Sequence, residues 1–335
     1  MDLGQIMVDL IVISIFLVAG TALRARVGLL QKFVIPASVV GGILGLILGQ
    51  NVIGLIPISD TYAQLANIGI DVVFAGLFIG RTMPGVRQLG KTAGAQTAFA
   101  YFNGFGQVAI GLLVVILFGA LGTRLNPMFG LQLIVGFQGG VGVGTAVAPM
   151  VESLGWSASE AAAVGETCAV AGLVLSVLIG VVIVNIGIKR NYTVKKFHEM
   201  DQAVESATFL PPEKRKSIGL EITSPEAGST VVFNFGIMGL AILCGHLIHY
   251  GIITAAPPLE FMPKFPFVLV GGIIVQSILQ RSRLDRFVDR GTVESISGFA
   301  LDTLIVASLM AIDLTVVATY AAPLITTIVL GILFN

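Results

Sequence analysis

The residues with the most to offer chemically are glycines rather than acids, bases or nucleophiles. Gly139, Gly140, Gly142 and Gly144 fall within six positions of the run IVGFQGGVGVGTAVAPM, with Gln138 before them, Thr145 after them and Pro149 near the close. Each Gly in a helix interior costs about 1 kcal/mol relative to Ala, so this run makes a poor continuous helix. Its flanks are nevertheless apolar enough for membrane depth. Irregular backbone survives there only when buried in protein or lining a watery cavity. The run is therefore read as a broken, re-entrant segment near 128–150 and as the binding site. Free N–H groups at a half-helix N-terminus suit an anion, and unwound carbonyls suit a cation. Gln138 and Thr145 add side-chain contacts. The competing reading is an unbroken helix packed closely through small residues.

Three acids fall inside apolar runs: Asp71, Glu166 and Asp302. An ionisable group at such depth usually faces a cavity and often couples to an ion. Glu166 lies in the helix after the glycines, so a cation role is attractive; the plainer reading is a carboxylate near a helix end or held neutral. His246 and His249 share a helix face, but no Glu or Cys completes a metal site beside them, and interfacial histidines are expected. Asn103 and Gln107 either bond across helices or line the pathway. The glycines lack the spacing and strand context of a dinucleotide fingerprint and the Lys-Ser/Thr ending of a phosphate loop. No Ser/His/Asp or Cys/His constellation stands out, so enzyme readings are weak. Cys168 and Cys244 suggest neither a disulfide framework nor a zinc site.

The elements that must position these residues are membrane helices. The chain is 55% hydrophobic and 11% charged, with mean hydropathy +0.95, against about 25% charged in soluble domains. Zero net charge gives no argument for nucleic acid. Helices are expected near 5–23, 33–56, 62–80, 92–119, 160–186, 231–250, 265–280, 292–312 and 316–334. The N-terminus lacks the basic start of a cleaved leader, so the first helix is read as retained. Lys and Arg test the map. Arg24, Arg26 and Lys32 follow the first helix and Arg81, Arg87 and Lys91 the third. Seven basic residues, from Lys189 to Lys216, follow the fifth, and Arg281, Arg283, Arg286 and Arg290 the seventh. With the N-terminus outside and the glycine run dipping in and returning, these fall on the cytoplasmic side, and only Arg124 and Lys264 lie outside. A full crossing at 128–150 would reverse everything after it.

Residues 188–230 form a polar cytoplasmic linker, and the stretch 194–207 is compatible with a short amphipathic surface helix. They separate a first membrane repeat, 1–187, from a second, 231–335. Pro36 and the pair Gly41-Gly42 recur as Pro266 and Gly271-Gly272 at the same spacing in corresponding helices. Five crossings before the linker start the second set in the opposite orientation. The expected fold is an all-α polytopic membrane protein of two inverted-topology repeats of about five helices. The second repeat stops at Asn335 without a counterpart of residues 120–187, so a truncated chain is expected.

The run GGVGVGTA, followed by a helix with AGLVLSVLIG, resembles the bacterial sodium/glutamate symporter family. So do KFVIPASVVGG, VVFAGLFIGRTMPGVRQLGK and ALDTLIVASLMAIDL, and the resemblance covers most of the chain outside the linker. It implies two inverted five-helix halves, each with a glycine-rich re-entrant loop. It also implies inward transport of L-glutamate with sodium, in a bacterial inner membrane, with no cofactor beyond the coupling ion. Gly139, Gly140, Gly142 and Gly144 match the first loop. Val141 stands where histidine is expected and Gln138 where serine is. Sodium-coupled symport of glutamate or a related carboxylate by alternating access is the first reading, and a homodimer the assembly such carriers suggest. Alternatives are a carrier of another anion, a proton-coupled carrier, and a non-transporting membrane sensor or structural remnant.

Overall fold

The apolar runs form helices in the computed structural model. It describes residues 3–335 except 34, 51, 58, 60, 84, 85, 191, 193–216, 225, 227 and 261. The helices are α1 Leu3–Arg26, α2 Ala37–Leu48, α3 Thr61–Gly76, α4 Val86–Ala120, α5 Val143–Ser153, α6 Ala158–Lys189, α7 Thr230–Ala255, α8 Phe265–Arg281, α9 Arg290–Met310 and α10 Ala321–Phe334. Among the described residues, five helical stretches are long and apolar enough to cross a membrane: Gly4–Arg26, Ala93–Ala120, Ala158–Ser176, Thr230–Ala255 and Arg290–Met310. The chain is a polytopic, all-helical membrane protein. The amphipathic stretch 194–207 lies outside the described residues.

Two expected runs end differently for local reasons. The run 33–56 yields only the twelve residues of α2. Pro36, in extended conformation, opens that helix, and Gly49, also extended, closes it. The chain then turns back so that Gly49 bridges Ile56. The run 316–334 is split at Tyr320, after a short helix Leu314–Thr319. Asp313 starts that helix by accepting from the Thr315 N–H at 2.8 Å.

The centre is an antiparallel crossing of α3 and α9. Gly69 lies against Leu304 and Ala300, and Gly76 against Ser297, so position falls along α9 as it rises along α3. Tyr62, Ala66, Ile70, Leu304, Ala307 and Met310 are buried together there, joined by Ile13 and Phe16 of α1. Each flank carries a helix pair locked by glycine. A side chain on Gly41 of α2 would run into the Phe16 carbonyl of α1, and one on Gly271 of α8 into the Ala241 carbonyl of α7. Such contacts let backbones approach closely where lipid supplies no hydrophobic drive.

The two flanks share several contacts of the same kind. Gly41 also abuts Gly20, and Gly271 abuts Gly245; Gly42 abuts Leu309 of α9, and Gly272 abuts the Ala75 carbonyl of α3. Asp9 of α1 accepts from the Ser59 hydroxyl at 2.5 Å, and Ser59 Oγ accepts from Thr61 N at the start of α3 at 3.3 Å. Asn234 of α7 accepts from Asp289 N at 3.1 Å, and Asp289 accepts from Thr292 N at the start of α9 at 2.7 Å. The interval from 9 to 234 equals those from 16 to 241 and from 20 to 245. The interval from 36 to 266 equals those from 41 to 271 and from 59 to 289.

Candidate functional site

The glycine run is broken, and the break has defined geometry. Asn126 opens it, its side chain accepting from Met128 N at 2.9 Å to start a 3₁₀ turn over Pro127–Leu131. One short helical stretch, Gln132–Ile134, widens into a π turn over Val135–Gly139. Gly140 then takes φ 82° and Gly142 φ 95°, in the half of conformational space that side chains disfavour. The chain restarts as α5, which ends at Ser153. Its two arms close at their far ends: Asn126 Nδ2 donates to the Gly155 carbonyl at 2.9 Å. Beside that contact Phe129, Trp156 and Tyr320 pack ring to ring.

Both arms lean on α6 through small residues. Gly136 sits against Cys168, and Gly144 against Gly165 and Glu166. At this approach stands Glu166, 1% exposed. Its carboxylate accepts from Gly142 N at 2.8 Å, Thr145 N at 2.9 Å and Thr145 Oγ at 3.1 Å. A half-helix N-terminus leaves N–H groups without intrahelical partners and carries partial positive charge. Here a protein carboxylate satisfies part of it from the next helix. The N–H groups of Gly142 and Thr145, which the sequence offered to an external anion, are held internally.

A cavity lies on each face of the break. One, of about 600 Å³, is lined by Gly136–Val141 of the first arm, Asn103 and Gln107 of α4, and residues of α6 between Ala169 and Ile183. Gln138 stands at its wall, donating to the Ala100 carbonyl at 3.2 Å. Gln107 is 1% exposed and donates to Asn335 Oδ1 at 3.0 Å, so it both bonds across helices and lines the cavity. The other, of about 540 Å³, is lined by Ala146, Pro149 and Met150 of α5, Asn67 and Asp71 of α3, His249 of α7, and Glu260 and Lys264 between α7 and α8.

The structure thus brings Gln138, Gly139 and Gly140 to one cavity and Asp71 to the other. Gly142, Gly144, Thr145 and Glu166 meet between them. Asp302 is exposed on α9 and lines neither cavity. Sequence reasoning missed two partnerships. His246 Nε2 lies 2.9 Å from Asp71 Oδ2, joining α7 to α3, whereas the sequence reading makes it an interfacial residue. His249, 6% exposed, lies with Nε2 3.0 Å from the Met262 carbonyl. Only the presence of an acid within a membrane helix, needing a partner, could have hinted at the first.

Long apolar helices, and a broken glycine segment buried among them with a cavity on either face, define a multi-pass membrane protein of the transporter kind. The family comparison makes this specific: the chain belongs to the sodium/glutamate symporter family, whose model matches residues 3–335. It is 24% identical over 340 residues to the sodium/glutamate symporter of Escherichia coli (strain K12). That match covers 97% of this chain and 77% of the relative. The sodium/glutamate symporter of Shigella flexneri matches to the same extent. No solved structure matches the chain. The family is one of symporters, so the chain is a transport protein and not an enzyme.

Proposed function

We propose that this protein carries glutamate, or a closely related carboxylate, across the membrane with sodium, by alternating access around the glycine-rich segment. The observation that carries this reading is the break itself, with its two arms lining separate cavities of about 600 and 540 Å³. A ligand passing from one cavity to the other must pass the break, and a rearrangement there opens one side as it closes the other. The names of the relatives supply sodium and glutamate.

The finer architecture follows the same reading. Asn126 bonded to Gly155 supports a segment that enters and leaves on one side, re-entrant in form. The repeated contacts of Gly41 and Gly271, and of Asp9–Ser59 and Asn234–Asp289, support two structural repeats. The antiparallel crossing of the corresponding helices α3 and α9 supports their inversion. A two-fold axis in the membrane plane sets corresponding helices antiparallel, whereas an axis along the normal sets them parallel. The distribution of Lys and Arg supports an outside N-terminus and a cytoplasmic linker. On that orientation the cavity with Lys264 opens outward and the cavity with Asn335 faces the cytoplasm. Sodium finds oxygen ligands in the unwound carbonyls around Gly139–Val141. A bacterial inner membrane and a homodimer complete the reading.

The test is uptake of labelled glutamate by proteoliposomes under an inward sodium gradient. Accumulation that collapses with the gradient, and that unlabelled glutamate competes, supports the proposal. Accumulation driven by a proton gradient alone favours the proton-coupled alternative. No accumulation under either gradient sinks the carrier reading in favour of a non-transporting protein.

A further inference from the structure

We propose that the 540 Å³ cavity beside α5 is a recognition site for an amino-acid zwitterion, with Lys264 taking a carboxylate and Asp71 taking the ammonium. The proposal rests on the transporter reading and names where the substrate's charges are first read.

The contrast between the two cavities carries the argument. The larger is lined by amides, glycines and apolar side chains, and no Lys, Arg, His, Asp or Glu is among its described lining residues. The N–H groups of Gly142 and Thr145, which an anion could otherwise have used, already serve Glu166. The smaller cavity has groups of both signs: Asp71 and Glu260 against Lys264. A ligand with both a carboxylate and an ammonium is complementary to such a wall, and a ligand with one sign alone is not.

The polar groups of this cavity differ in their freedom. His249 is held by the Met262 carbonyl and packs on the Phe267 ring, with centroids 5.2 Å apart, so its orientation is fixed by the protein. Lys264 is exposed, just ahead of α8, and its side chain makes no hydrogen bond or ion pair among the described residues. A compact ammonium on a flexible stem suits capture of a carboxylate as a point charge. The Asp71 side chain is 17% exposed and is braced by His246 through Oδ2. Its other oxygen has no hydrogen-bond partner among the described residues. Bracing by a residue of α7 fixes the Asp71 rotamer, so the carboxylate is preorganised for a donor. Glu260, exposed at the cavity, adds negative charge that disfavours a ligand lacking the ammonium.

The experiment measures equilibrium binding of labelled glutamate to the purified full chain in nanodiscs with sodium. Competition by glutarate, which lacks the amino group, is measured alongside, and uptake is read in parallel. Lys264→Ala should weaken glutamate binding by about tenfold or more, as removal of a charge-assisted bond does, and Lys264→Arg should restore most of it. Asp71→Asn should erase the preference for glutamate over glutarate. His246→Leu, which removes the brace and keeps the acid, should retain part of that preference. Monodisperse elution of each variant guards against misfolding. Unchanged affinity in Lys264→Ala and unchanged preference in Asp71→Asn would overturn the site. So would an Asp71→Asn effect confined to sodium dependence, which would make Asp71 an ion station. A wild type that transports while both variants behave like it refutes the site and keeps the carrier. A wild type that binds through Lys264 but accumulates nothing keeps the site and refutes the carrier. A wild type that neither binds nor transports refutes both.

Discussion

Removing the Glu166 carboxylate should loosen the start of α5 before anything else in the molecule. Gly142 N, Thr145 N and Thr145 Oγ all end on this one side chain, and it is 1% exposed, so bulk water does not reach the donors it serves. A buried donor left without an acceptor costs about 1–3 kcal/mol. Loss of a negative charge from a partly buried helix N-terminus costs up to about 2 kcal/mol more. Glu166→Ala strands two backbone N–H groups and a hydroxyl, so a local loss of about 4 kcal/mol is expected from these ranges. Glu166→Gln keeps one oxygen. Set at the Oε1 position, that oxygen retains both Thr145 bonds, at 2.9 and 3.1 Å, and the longer of the two Gly142 N contacts, at 3.1 Å. The amide NH₂ then replaces the oxygen that Gly142 N meets at 2.8 Å. That loss is about 1–3 kcal/mol. The assay is amide hydrogen exchange on peptides covering 136–153, with peptides from the α3–α9 crossing as internal reference. Exchange should rise in the order wild type, Gln, Ala, and only in the 136–153 peptides. Equal protection in all three proteins would refute Glu166 as the residue that holds the break.

Three further outcomes follow from other contacts. Gly142→Ala should destabilise the break by at least about 1–2 kcal/mol, the cost of the left-handed region for a side chain. At φ 95° the new methyl would also meet Leu304 Cδ1 at 2.5 Å, and a lower melting temperature with reduced uptake would report it. Arg290→Ala should fray the end of α3, because the guanidinium donates to the carbonyls of Gly76 and Ile79, each at 2.6 Å; faster exchange at 76–81 is the readout. Burial pushes the Asp289 carboxyl up, but hydrogen bonds from Thr292, Leu220 N and Gly291 N outweigh it and hold the group below its ordinary value of 3.8. Its stabilisation of the linker end at 218–220 is therefore complete above that ordinary value and lost as pH falls through the lowered one. Protease accessibility of that segment should rise on acidification, and Asp289→Asn should abolish that pH dependence.

Most of the helices are legible because they are apolar runs of sufficient length, and so is the recurrence of Pro36 and Gly41-Gly42 as Pro266 and Gly271-Gly272, because the residue types are the same. Other equivalent contacts are not legible. Asp9 on α1 accepts from Ser59 ahead of α3, and Asn234 on α7 accepts from Asp289 ahead of α9, but the residue types differ at both positions. In both contacts the α1 or α7 side chain accepts, from the Ser59 hydroxyl in one and from the Asp289 backbone N–H in the other, and a backbone donor leaves no trace in the residue letters. The length of α2 escapes the sequence for a related reason: hydropathy continues through Ile53 and Leu55, while Gly49 ends the helix.

The site is half legible for a physical reason that bears on how it works. Glycine spacing exposes a break, because only the backbone is being described. What the break does with its free N–H groups depends on a side chain in the next helix, and sequence gives no distance between them. Glu166 is recognisable as an acid in an apolar helix and therefore as a candidate for ion coupling. Its position changes the electrostatic expectation. The positive end of α5 is met by carboxyl oxygens that belong to the protein. Among its described lining residues the cavity beside Gly139 and Gly140 therefore offers a carboxylate amides and backbone but no fixed cation. An anion entering it must bring its counter-charge along, and a co-transported cation is one that a symporter has at hand. On this logic Glu166→Gln, by removing the oxygen that Gly142 N meets at 2.8 Å, should loosen the internal claim on that N–H and open it to a ligand. Its dependence on sodium for glutamate binding should then be shallower than that of the wild type, and an unchanged sodium dependence would count against the whole electrostatic scheme.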